Sequence, residues 1–167
     1  MERLEQILAR ITALVTRVVG WIMGLMVVHI VVDVAMKYLF NQPIFGTIEV
    51  TEHYYMVPVV FGALVYLQAL RGHVKVEIFT LGLPVGGRRF LDGIASLAMA
   101  AFMMLFSAVG YEEAVASTAR LELVEAATTT IYIWPARWVL PLAGTLVSLI
   151  ALLQSVQLLR PGSRVGC

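Results

Sequence analysis

His29, Asp33 and Lys37 stand at i, i+4 and i+8 of an otherwise apolar stretch, on one stripe of a helix. An ionisable side chain inside a hydrophobic segment is costly, so the stripe needs a reason. Two reasons are open. It is a polar seam that faces a partner helix or carries protons, or it is self-contained. In the second case Lys37 reaches to the interface, Asp33 pairs with it in the favourable acid-before-base order, and His29 donates one hydrogen bond. Glu49, Glu52 and His53 form a second cluster where the next apolar stretch begins. Carboxylates in the first turn of a helix are favoured by the macrodipole, which accounts for Glu49 and Glu52 without a ligand. The two histidines raise haem as a cofactor, since imidazoles from neighbouring helices can ligate one iron axially. Their depths differ by ~7–8 Å at the helical rise, which makes joint ligation awkward.

No other constellation carries chemistry. The sequence has no nucleophile elbow, glycine-rich phosphate loop, HExxH or acidic cluster with metal spacing, so neither an enzyme nor a resident metal is expected. The single cysteine, Cys167, supports no internal disulfide or cysteine-based metal site. It does not stand where a prenylation box needs it, and it is read as an incidental tail residue. No basic patch interleaved with aromatics occurs, which excludes a nucleic-acid partner.

The elements that must position these residues are membrane spans. The 167 residues are 60% hydrophobic and only 14% charged, too few charges to wet the surface of a soluble domain. The apolar residues fall in four blocks, about 18–40, 50–70, 94–116 and 138–159. Each meets the ~20 residues that a bilayer core demands. Before the first span, Leu4, Ile7, Leu8, Ile11 and Leu14 recur at helical spacing, so residues 1–17 read as an amphipathic segment. It lies along the membrane surface or extends the first span, and the first span itself reads as an uncleaved signal anchor. The fold class is therefore an all-α integral membrane protein of four transmembrane helices in a single domain, in contact with membrane lipids.

Basic residues set the orientation. Arg3, Arg10, Arg17, Arg71, Lys75, Arg88, Arg89, Arg160 and Arg164 fall on one side, and only Lys37, Arg120 and Arg137 on the other. Both termini are expected in the cytoplasm. Acids concentrate opposite, and the loop carrying Glu112 to Glu125 is either a solvated loop or a contact for an external protein. Gly20 and Gly24 form a GxxxG pattern in the first span, while Ser96/Ala100 and Gly144/Ser148 repeat the small-residue spacing in the third and fourth. Pro58 should kink the second span by leaving the Tyr54 carbonyl without its helical donor. Pro135 and Pro141 imply an irregular lead-in to the fourth.

Short motifs, taken in order, resemble the small membrane subunit of tripartite ATP-independent periplasmic (TRAP) transporters. The first helix ends in Lys37-Tyr38-Leu39-Phe40-Asn41, similar to the basic-Tyr-apolar-Phe ending of that family, and Glu52 stands where the family has an acidic residue. The second helix exits through Arg71-Gly72-His73-Val74-Lys75-Val76-Glu77, which looks like its His-containing signature. Leu83-Pro84 before Arg88-Arg89, and Thr128-Thr129 before Trp134-Pro135, match its turns into the third and fourth helices. Lys37 replaces a usual arginine and loses its bidentate bonding, and Glu77 replaces a usual aspartate.

The resemblance implies a bacterial inner-membrane protein that scaffolds a large permease subunit. That permease would carry the substrate and sodium, and a periplasmic binding protein would deliver an organic acid. No cofactor would reside in this chain. Gly20, Gly24, the His29–Asp33–Lys37 stripe, Glu52, Arg71, His73 and Glu77 become candidates for the subunit interface or for structural polar roles. The competing expectation is a haem-bearing membrane anchor of a respiratory oxidoreductase.

Overall fold

The computed structural model describes residues 2–70, 84–126 and 129–159. Its first element, α1, runs unbroken over Glu2–Phe40. The amphipathic segment therefore extends the first span, and no break separates the two at Arg17. Lys37 stands twenty positions after Arg17, about 30 Å of helix and so one hydrocarbon thickness. The same separation divides Asp92 from Glu112 in the third long helix, α4 (Val85–Ala119).

The second span is composite. A short helix α2 (Thr47–Val50) leads into a π-helical turn at Thr51–Met56 and then into α3 (Val57–Ala69). The expected disturbance by Pro58 thus takes the form of a widened turn just before the proline. Its ring would meet the carbonyl four residues back, Tyr54, and local π winding is a usual way to accommodate such a conflict.

After α4 comes a feature that hydropathy did not indicate. Leu123–Ala126 (β1) and Thr129–Tyr132 (β2) pair antiparallel as a two-stranded hairpin, with Leu123 opposite Tyr132. The purely α-helical expectation is corrected to that extent. The segment is rich in Val, Thr, Ile and Tyr, which favour extended backbone, and a search for long apolar runs passes over so short a stretch. A turn of helix, α5 (Trp134–Arg137), precedes the last long helix, α6 (Val139–Leu159).

The four long passes form a row rather than a square. α4 packs along α6, α6 along α3, and α3 along α1. Small residues set these seams. A Cβ added at Gly144 of α6 would sit 3.2 Å from the Ser107 Cβ of α4, and one at Gly93 of α4 would sit 2.7 Å from Leu159 Cδ2. A Cβ at Gly62 of α3 would overlap the Val19 side chain of α1. The buried serines then bond backbone across the α4–α6 seam. Ser107 donates to the Pro141 carbonyl at 2.7 Å, Ser148 to Ala100 at 3.0 Å and Ser155 to Gly93 at 3.0 Å. Leu8, Val65, Met103, Val147 and Ile150 fill the core.

Gly144 and Ser148 therefore act as expected. Gly20 and Gly24 do not, within this chain: a Cβ at either would meet nothing within 4 Å. α1 begins beside the end of α6, where Gln157 Nε2 donates to Glu5 Oε1 at 2.9 Å. The opposite end of the bundle carries the α1–α2 loop and the hairpin.

Candidate functional site

The polar groups that a membrane span would not hold without cause gather at the hairpin end, where the π turn is their hub. Consecutive side chains of that turn reach different elements. Tyr55 Oη lies 3.1 Å from His29 Nδ1 on α1, with the two rings edge to face. Tyr54 donates a short hydrogen bond to the Tyr132 carbonyl of β2. His53 faces a pocket shared with α4 and α6, and Glu52 is exposed. A regular α-helix would spread four successive side chains evenly at ~100° steps. The wider winding changes those directions over one turn.

Asp33 does not pair with Lys37. Its Oδ1 accepts the backbone N–H of Ile44 at 2.6 Å, which folds the α1–α2 loop back along the end of α1. Lys37 is exposed in the last turn of that helix. Within the chain His29 makes one side-chain hydrogen bond, and the expected Asp33–Lys37 ion pair is corrected to a bond from the loop. Asp33 satisfies a loop amide that would otherwise sit unpaired near the hydrocarbon edge.

The stripe also cannot share one surface with the glycine pair. His29 stands nine positions after Gly20, and Asp33 nine after Gly24, which puts each pair about half a turn apart around the helix. His29 and Asp33 face the protein, whereas Gly20 and Gly24 face outward. Arg71, His73 and Glu77 lie outside the described residues.

A second lock closes the hairpin end. Glu122 Oε2 accepts from the Ser117 hydroxyl at 2.5 Å, and its Oε1 accepts from Arg137 Nη2 at 3.0 Å. These bonds hold the Glu122 carboxyl below its ordinary value, the Ser117 hydroxyl first and the Arg137 guanidinium second. The backbone carbonyl of Glu122 takes the N–H of Ile133 at 2.9 Å, and Trp138 Nε1 donates to Thr118 Oγ1 at 3.0 Å. Turn, hairpin and the start of α6 are thereby fixed on the end of α4.

At the other end, Gln68 of α3 and Gln154 of α6 are both buried. Gln68 Nε2 donates to Gln154 Oε1 at 2.8 Å, and Gln154 Nε2 donates to the Gln68 carbonyl at 2.7 Å. Sequence reasoning passed over this pair, and over Ser107, Ser117 and Ser155. The signal was present: a neutral amide inside an apolar span, and Ser148 and Ser155 seven residues apart on one helical face.

Among the described residues no group of three or more His, Cys, Asp or Glu side chains could hold a metal ion. His29 and His53 do not form an axial pair, because His29 bonds Tyr55 while His53 lines a pocket with Phe61 and Arg137. The haem-bearing anchor therefore finds no support.

What remains is a bundle whose polar groups hold its own elements in place. The family model for the DctQ component of tripartite ATP-independent periplasmic transporters matches residues 26–161. The chain belongs to the DctQ family. No curated protein and no solved structure matches it. A DctQ protein is a component of a tripartite transporter, and the four spans agree with that setting: four helices of this chain are long and apolar enough to cross a membrane. The matched segment contains every element of the hairpin end, from His29 through the π turn to Arg137. Gly20 and Gly24 precede it.

Proposed function

We propose that this DctQ protein is the fixed scaffold of its transporter, holding the large permease subunit while that subunit moves an organic acid together with sodium. The carrying observation is the exposure of α1. None of its most apolar 18-residue stretch is buried within the chain, whereas half (50%) of the corresponding stretch of α6 is. Gly20 and Gly24 lie on that open side with nothing near them, and removing side chains lets a neighbouring helix approach closely. His29, Gln68, Gln154 and the buried serines of the α4–α6 seam bond within the chain, which supports a supporting role over a conducting one.

The hairpin end would face the periplasm, where a binding protein delivers the substrate, and both termini would lie in the cytoplasm of a bacterial inner membrane. Basic residues support that orientation: Arg3, Arg10, Arg17, Arg88 and Arg89 lie toward the other end. Glu112 and Glu125 are exposed at the hairpin end and would meet the binding protein.

Gly20→Leu/Gly24→Leu tests the scaffold. Since both positions are open, the variant should fold and insert as the wild type does, yet lose the permease in a detergent pull-down and lose sodium-dependent uptake in cells. A complex recovered at full strength would sink the assignment of that face.

A further inference from the structure

We infer that the hairpin end holds one aminophospholipid, its zwitterionic head in the pocket between the π turn, α4 and the start of α6. The pocket has a volume of about 150 Å³. A cavity of about that size can accept a group as large as a benzene ring. Its chemistry is graded along its depth. His53, Val57 and Phe61 follow one another at i, i+4 and i+8, so one wall passes from an imidazole to a phenyl ring over about 12 Å of helix. Leu140 of α6 continues the apolar side. Arg137 and Glu113 stand at the polar end with His53.

The charges present fit a zwitterion better than a simple anion. Arg137 contacts Glu122 through Nη2 alone, and Glu113 contacts Arg120 through Oε1 alone, at 3.0 and 3.2 Å. Each keeps further hydrogen-bonding atoms, and His53 has no hydrogen-bond partner among the described residues. A phosphate beside Arg137 and His53 would gain charge-assisted bonds, and a primary ammonium two carbons away would donate to Glu113. A trimethylated ammonium has no N–H to donate, and a glycerol head has no cation.

The hydrocarbon side is also provided. Phe61, in the pocket wall, meets Phe106 of α4 with ring centroids 6.4 Å apart. Phe102 stacks on Phe106 at 6.1 Å, and both rings stay partly open to the outside. An acyl chain leaving the pocket would lie along this aromatic strip. Nothing in this assignment depends on which partner covers α1.

The test uses the protein purified with whatever subunits accompany it, stripped of lipid by detergent exchange. Phosphatidylethanolamine, phosphatidylcholine, phosphatidylglycerol or inorganic phosphate is then added back, with binding read by native mass spectrometry and by the thermal transition. Phosphatidylethanolamine should bind with the highest affinity and raise the transition most, while inorganic phosphate should leave it unmoved. His53→Ala should weaken phosphatidylethanolamine about tenfold, the loss of one charge-assisted bond. Glu113→Gln, at an exposed position that folding tolerates, should weaken phosphatidylethanolamine more than phosphatidylcholine and so erase the preference between them. Equal affinities for all three lipids overturn the inference, as does a response to phosphate alone that matches the lipid. So do wild-type affinity and preference in both variants.

Discussion

Gln154 carries two of the interactions that join α6 to α3, because its amide both accepts from Gln68 and donates to the Gln68 carbonyl. In a lipid setting no water replaces a lost partner, so Gln154→Leu should destabilise the monomer by about 1–2 kcal/mol. Gln68→Leu should cost a similar amount, and the double variant less than the sum, since both singles remove the same contact. Unfolding curves in mixed detergent would show this, and strict additivity would refute the shared bond. Glu122 behaves differently, being only partly enclosed. Its carboxyl is depressed below 4.5 by Ser117 and Arg137, so the stabilisation is complete above that value and drains as pH falls through the lower, folded one. Glu122→Gln should flatten the acid limb of a stability–pH profile and cost about 1 kcal/mol or less at neutral pH. His29 and Asp33 were legible as polar residues that need partners. Which partners they take was not, because Tyr55 and the Ile44 amide are brought to them by a π turn and a folded-back loop that no periodicity encodes.

At the scale of elements, glycines separate seams from open faces. Gly62 and Gly20 both lie in apolar helices, but a side chain at Gly62 would enter the volume of Val19 while one at Gly20 would meet nothing within 4 Å. Gly62→Leu should therefore push α1 off α3, at about 1–3 kcal/mol for overpacking. Gly20→Leu should leave monomer stability within error. Crosslinking between cysteines introduced at Thr12 and Ala69, which line one pocket where α1 passes the end of α3, would report the displacement. An unchanged crosslink in Gly62→Leu would show that the seam repacks. The sequence pattern alone favoured Gly20 and Gly24, since GxxxG is the familiar spacing, and overlooked Gly62, which stands alone. Spacing identifies faces that permit close approach. Only the row order α1–α3–α6–α4 determines which of those faces find a neighbour inside the chain. Likewise Pro58 was legible as a fault in α winding, but a proline does not specify whether the helix bends or widens.

For the whole molecule, the row arrangement bears on how the protein sits in the membrane. A square bundle shields every helix on two sides; a row leaves its end helices exposed, and α1 is the more exposed end, with no residue of its most apolar stretch fully buried. The long helices fix the depth of the row. Arg17 to Lys37 on α1 and Asp92 to Glu112 on α4 each span twenty helical steps, about 30 Å, so each flank of the row is long enough to cross the hydrocarbon. The spans were readable from hydropathy; the occupant of the open side was not. Which way the row faces is testable without any partner. If basic residues govern insertion, Glu112→Cys at the hairpin end should react with a membrane-impermeant maleimide applied from outside, in a Cys167→Ser background. Cys167 in the otherwise native sequence should react only after permeabilisation. The reverse pattern would put the hairpin, the π turn and the Glu122–Arg137 lock in the cytoplasm. The acidic surface around Glu112 and Glu125 would then be out of reach of any periplasmic protein, and the scaffold would have to meet its transporter from the opposite side.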